Sequence, residues 1–230
     1  EILVIDDGST DRTPDILRSL MFPELKILTH QRNRGYGSSM KTGIRKAQGD
    51  TIATTDADGT YPLEELPTLL NIFREKNVEM VVGARTKQGV KITLVRKPAK
   101  WIVGWLANTL VGQRIPDINS GMRLFRKSLA EEFFHLYPKR FSFTITITLA
   151  ALTNDYAVEF VPIDYHKRIG KSTLSSGVNG FKNFLHFLGL IVRIVTYFCP
   201  LKFFAWPSLV LLLIGMGTIL FTIWTSANIS

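Results

Sequence analysis

The stretch Phe203–Trp224, FFAWPSLVLLLIGMGTILFTIW, runs for 22 residues without a charged side chain. As a helix rising about 1.5 Å per residue it measures about 33 Å, against roughly 30 Å of bilayer hydrocarbon. The alternative is a core helix of a soluble domain, but such helices rarely stay uncharged over this length. Gly215 and Gly217 suit a membrane helix better than a soluble one. We read residues 203–226 as a transmembrane helix. Lys167, Arg168, Lys171, Lys182, Arg193 and Lys202 precede it and no basic residue follows. By the positive-inside rule the bulk of the chain is expected in the cytoplasm, on an inner (cytoplasmic) or ER membrane.

This concentration of apolar residues explains how a chain with 28 basic and 19 acidic side chains among 230 residues keeps a mean hydropathy of +0.13. A 46% hydrophobic content excludes a disordered chain, which lacks the apolar surface to offset ordering entropy. The single cysteine, Cys199, excludes an internal disulfide framework and a cysteine-built zinc site. The net charge of +9 points to an anionic partner: nucleic acid, a phosphorylated substrate or an acidic membrane. Its basic residues cluster toward the apolar span, where anionic lipid is partner enough, so nucleic acid is not expected.

Upstream of the span, Phe181, Phe184, Leu185, Leu188, Ile191, Val192 and Val195 follow the spacing of one helix face, with Lys182, His186 and Arg193 opposite. This predicts an amphipathic juxtamembrane helix over 177–202, lying in the membrane interface or packed on the globular domain, with Pro200 separating it from the span.

Residues 1–176 form the remaining domain. Strand signals at Ile2–Ile5, Leu25–Thr29, Thr51–Thr55 and Glu79–Gly83 alternate with helix signals from Thr13-Pro14, over Gly37–Ala47 and over Leu63–Glu75. Such alternation predicts βαβ units, a mostly parallel sheet and an α/β fold. Glu1 is not a start methionine and Ile2 already lies in a strand run, so an N-terminal strand is expected to be missing.

Ligands of such sheets bind beyond the carboxyl ends of the strands. There the sequence places Asp6-Asp7-Gly8-Ser9-Thr10-Asp11, then Asp56-Ala57-Asp58-Gly59, then Gly83-Ala84-Arg85. An Asp-x-Asp at a strand tip can hold a divalent cation whose shell is completed by phosphate oxygens. A metal-held diphosphate beside an arginine suits a nucleotide substrate. Asp56-Ala57-Asp58-Gly59-Thr60 also resembles the nucleophile motif of haloacid-dehalogenase-type phosphatases, but Asp117, Asp155 and Asp164 are unpaired and supply no second acidic pair. A calcium loop lacks the further oxygen ligands at the required spacing.

Six motifs, Asp6-Asp7-Gly8-Ser9-x-Asp11, Asn33-Arg34-Gly35, Asp56-x-Asp58, Gly83-Ala84-Arg85, Asn119-Ser120-Gly121-x-Arg123 and Arg168-x-Gly170-x-Ser172, resemble in type and order those of family-2 glycosyltransferases. The resemblance is to the dolichol-phosphate mannose synthase and polyprenyl-phosphate glycosyltransferase branch. It implies the GT-A fold and a metal-dependent transferase that uses a UDP- or GDP-linked sugar and a polyprenyl phosphate. It also implies nucleotide-sugar contacts from Asp6, Asp7, Asn33, Gly35, Asp56 and Arg85. Mg²⁺ or Mn²⁺ would sit at Asp58 and Asp56, and a family habit of self-association leaves a homo-oligomer open. The sequence departs from the pattern twice. The opening Pro-x-x-Asn-Glu is absent, and Gly59-Thr60 replaces the Leu-Gln that follows Asp-x-Asp in mannose synthases. Whether Thr60 assists the metal, and whether the sugar is mannose, stays open.

The resemblance also bears on the acceptor. Inverting members that act on hydroxyl groups usually carry a Glu-Asp pair after this region to deprotonate them. Phe141–Thr148 contains no carboxylate. A phosphate acceptor is already anionic and needs cations instead. Arg96, Ser120, Arg123, Arg168, Lys171 and Ser172 are the candidates to hold it. Asp58, Asp117 and Arg123 are the candidate catalytic residues, with Asp117 orienting the acceptor, serving as a residual base or capping its own turn. A non-catalytic, membrane-tethered homologue that binds nucleotide or lipid is the alternative; the intact Asp56 and Asp58 argue against it.

Overall fold

The computed structural model describes residues 1–87, 111–139, 142–166 and 200–229, with positions 104, 108, 109, 185, 189, 192, 193, 196 and 197. The apolar run at the start forms β1 (Ile2–Asp6). It pairs in parallel with β2 (Leu25–Thr29), Ile2 opposite Leu25 and Asp6 opposite Thr29. Between them α1 (Thr13–Ser19) starts where Pro14 fixes a helical φ, and Asp11 accepts the Thr13 amide at 2.9 Å. The helix α2 (Tyr36–Lys46) follows Gly35, whose φ of 94° is open to glycine at little cost.

The second ladder has four strands in the order β3 (Thr51–Thr54), β5 (Arg123–Arg126), β4 (Met80–Ala84), β6 (Val158–Pro162). β4 and β6 are parallel, while β5 runs antiparallel to both β3 and β4. The sheet is therefore mixed rather than mostly parallel. Parallel pairing holds for β1 with β2 and for β4 with β6, whereas β3, also part of the βαβ alternation, pairs with the antiparallel β5. β5, four residues with arginine at both ends, has no hydrophobic period of its own and takes its direction from tertiary pairing. Among the described residues β1 and β3 each have one strand partner, so the two ladders are separate.

Both faces of the four-stranded sheet are covered. Met80, Val82 and Phe125 face a core with Phe143, Ile147 and Leu129. Val81, Leu124 and Met122 face the opposite core with Leu69 and Phe73 of α3 (Leu66–Glu75), which a 3₁₀ turn at Leu63–Glu65 precedes. Successive strand side chains alternate between faces, so a strand buried on both sides is apolar throughout. Each fully buried large side chain here contributes about 1.5–3 kcal/mol. The first core is roofed by α4 (Lys127–Glu132) and α5 (Phe143–Thr153). Ten consecutive residues of α5, Phe143–Leu152, are buried.

The C-terminal helix α6 spans Pro200–Ile229, starting at Pro200. Its segment Phe203–Ala227 has a mean hydropathy of 2.0, is unburied over its most apolar stretch, and is long and apolar enough to cross a membrane. The expected helix over 177–202 lies largely outside the described residues. Its described position Tyr197 meets the domain, the hydroxyl standing 3.1 Å from Nε2 of His135.

Candidate functional site

The ends of β1, β3 and β4 carry the acidic and basic residues that the sequence singles out. After β1, Asp6 accepts the Ser9 amide at 3.0 Å through Oδ1. Its Oδ2 is buried with no hydrogen-bond partner among the described residues. The next carboxylate is fully used. Asp7 Oδ1 accepts from His30 Nδ1 at 2.7 Å and from the Arg34 amide at 2.9 Å, and Oδ2 accepts the Gly35 amide at 2.7 Å. Burial works to raise the Asp7 pKa, but these bonds outweigh it and hold the carboxyl below its ordinary value. Asn33 and Gly35 thus lie in a turn clamped by Asp7. Gly8 underlies the turn: its φ is 72°, and a Cβ there would stand 2.7 Å from the Arg32 carbonyl carbon. Of the two leading aspartates, Asp7 builds the loop and Asp6 has the spare acceptor.

The antiparallel register puts Thr54 opposite Arg123, so Asp56, two residues after Thr54, and Gly121, two residues before Arg123, come face to face. A Cβ on Gly121 would lie 3.0 Å from both Asp56 carboxylate oxygens. Gly121 is held from two sides: its carbonyl accepts Thr54 Oγ1 at 2.9 Å, and its amide donates to the Tyr61 hydroxyl at 2.7 Å. Asp58 folds onto its own turn, Oδ1 accepting the Thr60 amide at 3.2 Å and the Thr60 hydroxyl at 2.6 Å. Thr60, where mannose synthases have Gln, therefore touches the Asp58 carboxylate directly.

At the end of β4, Arg85 and Asp117 form a two-pronged pair, Nε to Oδ2 at 2.7 Å and Nη2 to Oδ1 at 3.0 Å. The amides of Arg85 and Asn119 also donate to Asp117, both at 3.1 Å. Burial raises the Asp117 pKa, but Arg85 more than compensates and the carboxyl is held below its usual range; burial likewise opposes the Arg85 cation, which the same pair sustains. The Arg85 guanidinium also lies 5.1 Å from the centre of the Tyr165 ring.

Arg123 is fully buried. Its Nε and Nη2 donate to the Ser120 carbonyl, and Nη1 donates to the Thr144 carbonyl and Thr148 Oγ1, both at 3.0 Å. It joins the 119–121 loop to α5, and Thr144 Oγ1 adds a 2.8 Å bond to Asn119. Burial opposes its charge and pulls its pKa down. Ser120 is buried as well, its Oγ without a hydrogen-bond partner among the described residues. The structure thus brings Asp56, Asp117, Ser120 and Arg123 together through one loop. Arg96, Arg168, Lys171 and Ser172 lie outside the described residues.

Sequence reasoning missed His30, Thr54, Tyr61, Thr144 and Tyr165. For His30 a signal existed: parallel pairing of Asp6 with Thr29 sets the following residues, Asp7 and His30, side by side. Among the described residues no group of three or more His, Cys, Asp or Glu is placed to hold a metal ion.

The family model of glycosyl transferase family 2 matches residues 1–134. The chain belongs to this family. The matched region contains five of the six motifs, all but the one at Arg168. Among family-2-like relatives, the low-salt glycan biosynthesis hexosyltransferase Agl6 of Haloferax volcanii is 30% identical over 93% of this chain and 50% of its own length. A dolichyl-phosphate hexose transferase of the same organism is 27% identical over 77% of this chain and 75% of its own. An undecaprenyl-phosphate 4-deoxy-4-formamido-L-arabinose transferase of Yersinia enterocolitica is 29% identical over 72% and 49%. The chain therefore spans about half the length of two of these three. Of solved structures, S. aureus TarS with UDP-GlcNAc aligns at a TM-score of 0.60 and 19% identity, covering 85% of this chain and 57% of TarS. Glucosyl-3-phosphoglycerate synthase of Mycobacterium tuberculosis, with Mn²⁺, UDP and glucosyl-3-phosphoglycerate, aligns at 0.63 and 13%, covering 87% and 69%. At these identities the likeness is one of fold, and that fold is GT-A.

Proposed function

We propose that this family-2 protein moves a sugar, with inversion, from a UDP- or GDP-linked donor to a polyprenyl phosphate (undecaprenyl or dolichyl) at the cytoplasmic face of a membrane. The observation that carries the reading is the meeting of Asp56, beyond the end of β3, with the 119–121 loop, to which the Arg85–Asp117 pair at the end of β4 is also tied. The names of relatives that act on dolichyl and undecaprenyl phosphates support the acceptor class. The helix α6 supports a site held at a membrane surface.

Mg²⁺ or Mn²⁺ fits the donor set. Hard cations of this size take one or two carboxylates and complete their shell with water and phosphate oxygens, and two carboxylates are what Asp56 and Asp58 offer. When bound, the cation supplies charge stabilisation for the departing nucleoside diphosphate. Asp6 Oδ2, without a hydrogen-bond partner among the described residues, is the acceptor offered to the nucleoside, while Asp7 keeps the Asn33–Gly35 turn in place. Arg85 contributes a fixed positive charge.

An oxygen of the lipid phosphate attacks the anomeric carbon, and the bond from that carbon to the diphosphate breaks. The phosphate is ionised near neutral pH, so no side chain need remove a proton. Asp117, with both oxygens occupied and its pKa depressed, is a poor base; its role is to fix Arg85. Arg123 supports the 119–121 loop from beneath. Contact with the acceptor phosphate then falls to Arg96, Arg168, Lys171 and Ser172.

The test is transfer of label from a panel of UDP- and GDP-sugars to undecaprenyl or dolichyl phosphate, by the chain in detergent or bilayers with Mg²⁺ or Mn²⁺. Label extracted with the lipid, and lost in Asp58→Ala, is the expected result. Nucleotide binding without transfer from any donor would leave the non-catalytic homologue.

A further inference from the structure

We propose that Tyr61 is a positioning residue that, through Gly121, sets the place of the Asp56 carboxylate. The proposal rests on the reading of Asp56 as part of the metal and donor site. Asp56 lies beyond the end of β3, where strand pairing no longer restrains it. On one side it faces Gly121, whose missing side chain lets the carboxylate approach: a Cβ would meet both oxygens at 3.0 Å. The position of Asp56 is therefore bounded by the position of the Gly121 backbone.

That backbone is fixed by two side chains from the Asp56 side of the site. Thr54 Oγ1 donates to the Gly121 carbonyl, and the Tyr61 hydroxyl accepts from the Gly121 amide. Both belong to the segment that carries Asp56, one two residues before it and one five residues after it. The segment thus grips the glycine at both of its peptide bonds and closes a small frame around its own carboxylate. Tyr61 is rigid enough for this. It is 5% exposed, and its ring stands edge-on to Tyr165 at 5.4 Å and 75°. Tyr165 in turn lies against Arg85. Burial of the phenol pushes its pKa up, so the hydroxyl keeps its proton near neutral pH and remains a neutral acceptor.

Groups that orient ligands in this way typically change metal affinity or activity by about 10–100-fold when removed. The test measures Mn²⁺ binding by electron paramagnetic resonance, with UDP and with GDP, on the full chain in detergent. Tyr61→Phe keeps the ring and removes the hydroxyl; Thr54→Val removes the other tether. Each is expected to weaken Mn²⁺–nucleotide binding by about 10-fold or more. A destabilising control, Leu129→Ala in the core away from the site, is expected to lower Tm with Mn²⁺ affinity unchanged. The proposal is overturned if Tyr61→Phe binds Mn²⁺ as the wild type does, or loses no more affinity than Leu129→Ala. It is equally overturned if the wild type takes up no Mn²⁺ with either nucleotide, since Asp56 then has no cation to hold. Lipid transfer, followed in the same preparations, decides the transferase reading separately: a wild type that binds Mn²⁺–nucleotide but transfers nothing removes that reading and leaves the effect of Tyr61 measurable.

Discussion

The pairing of Arg85 with Asp117 joins two loops far apart in sequence, and both partners are largely buried, at 15% and 13% side-chain exposure. Removing one charge of such a pair strands the other in a poor solvent, a loss of about 3 kcal/mol or more. Asp117→Asn is expected to lower unfolding free energy by about that amount at pH 7 in a denaturant titration. The pH dependence follows from the depressed carboxyl. A group whose folded pKa lies below its unfolded value stabilises above the unfolded pKa and loses that contribution as pH falls through the folded one. The gap between wild type and Asp117→Asn should therefore be constant near neutrality and shrink below about pH 4. A gap independent of pH would show that the carboxylate charge is not what holds Arg85. Arg85 was legible as a cation after a strand and Asp117 as a carboxylate just before Asn119-Ser120-Gly121, but their partnership was not: 32 residues separate them, and no local pattern records which loops meet. The same limit hid Tyr61, which reads as an ordinary aromatic until Gly121 is placed beside it.

Two elements show how tertiary context overrides local preference. The sequence of α5 alternates Ile and Thr over Thr144–Thr148, the period of a strand, and β-branched residues disfavour helices. It is helical because it is buried on every side, so no polar face was needed and no 3.6-residue rhythm was left to read. Its threonines return their hydroxyls to the helix, as Thr148 Oγ1 does to the Thr144 carbonyl at 2.7 Å, and the same Thr148 oxygen accepts from Arg123. Thr148→Val conserves shape and deletes that acceptor, leaving a buried guanidinium N–H with one partner fewer. We expect about 1–3 kcal/mol of destabilisation, read as a lower denaturant midpoint at unchanged slope. An unchanged midpoint would mean that the Thr144 carbonyl alone satisfies Nη1 of Arg123. By contrast β2, Leu25–Thr29, was legible to the residue, because an apolar run between turn signals needs no distant information.

At the scale of the whole molecule, the βαβ alternation and the apolar tail were evident from hydropathy alone, whereas the mixed four-stranded ladder was not, since strand direction is set by pairings across the chain. The tail makes the strongest claim on cellular behaviour. Leu211, Leu212, Leu213, Ile214, Phe221 and Trp224 are each more than half exposed, an apolar surface that water does not tolerate on a free helix of 30 residues. A membrane resolves this, because the helix satisfies its own backbone hydrogen bonds and presents a mostly apolar surface to lipid. The native chain is therefore expected to stay in the pellet after alkaline carbonate extraction. Arginine at a helix centre costs about 2.5–3.5 kcal/mol of insertion free energy, and each aliphatic residue removed forfeits about 0.3–0.6 more. Leu212→Arg with Ile214→Arg thus removes roughly 6–8 kcal/mol, against a favourable sum that the glycines, threonines and serines of the helix already reduce. The double variant should move to the supernatant or fail to accumulate, with a single Arg giving partial release. Retention of the double variant in the pellet would assign membrane attachment to other parts of the chain and reduce α6 to an accessory contact.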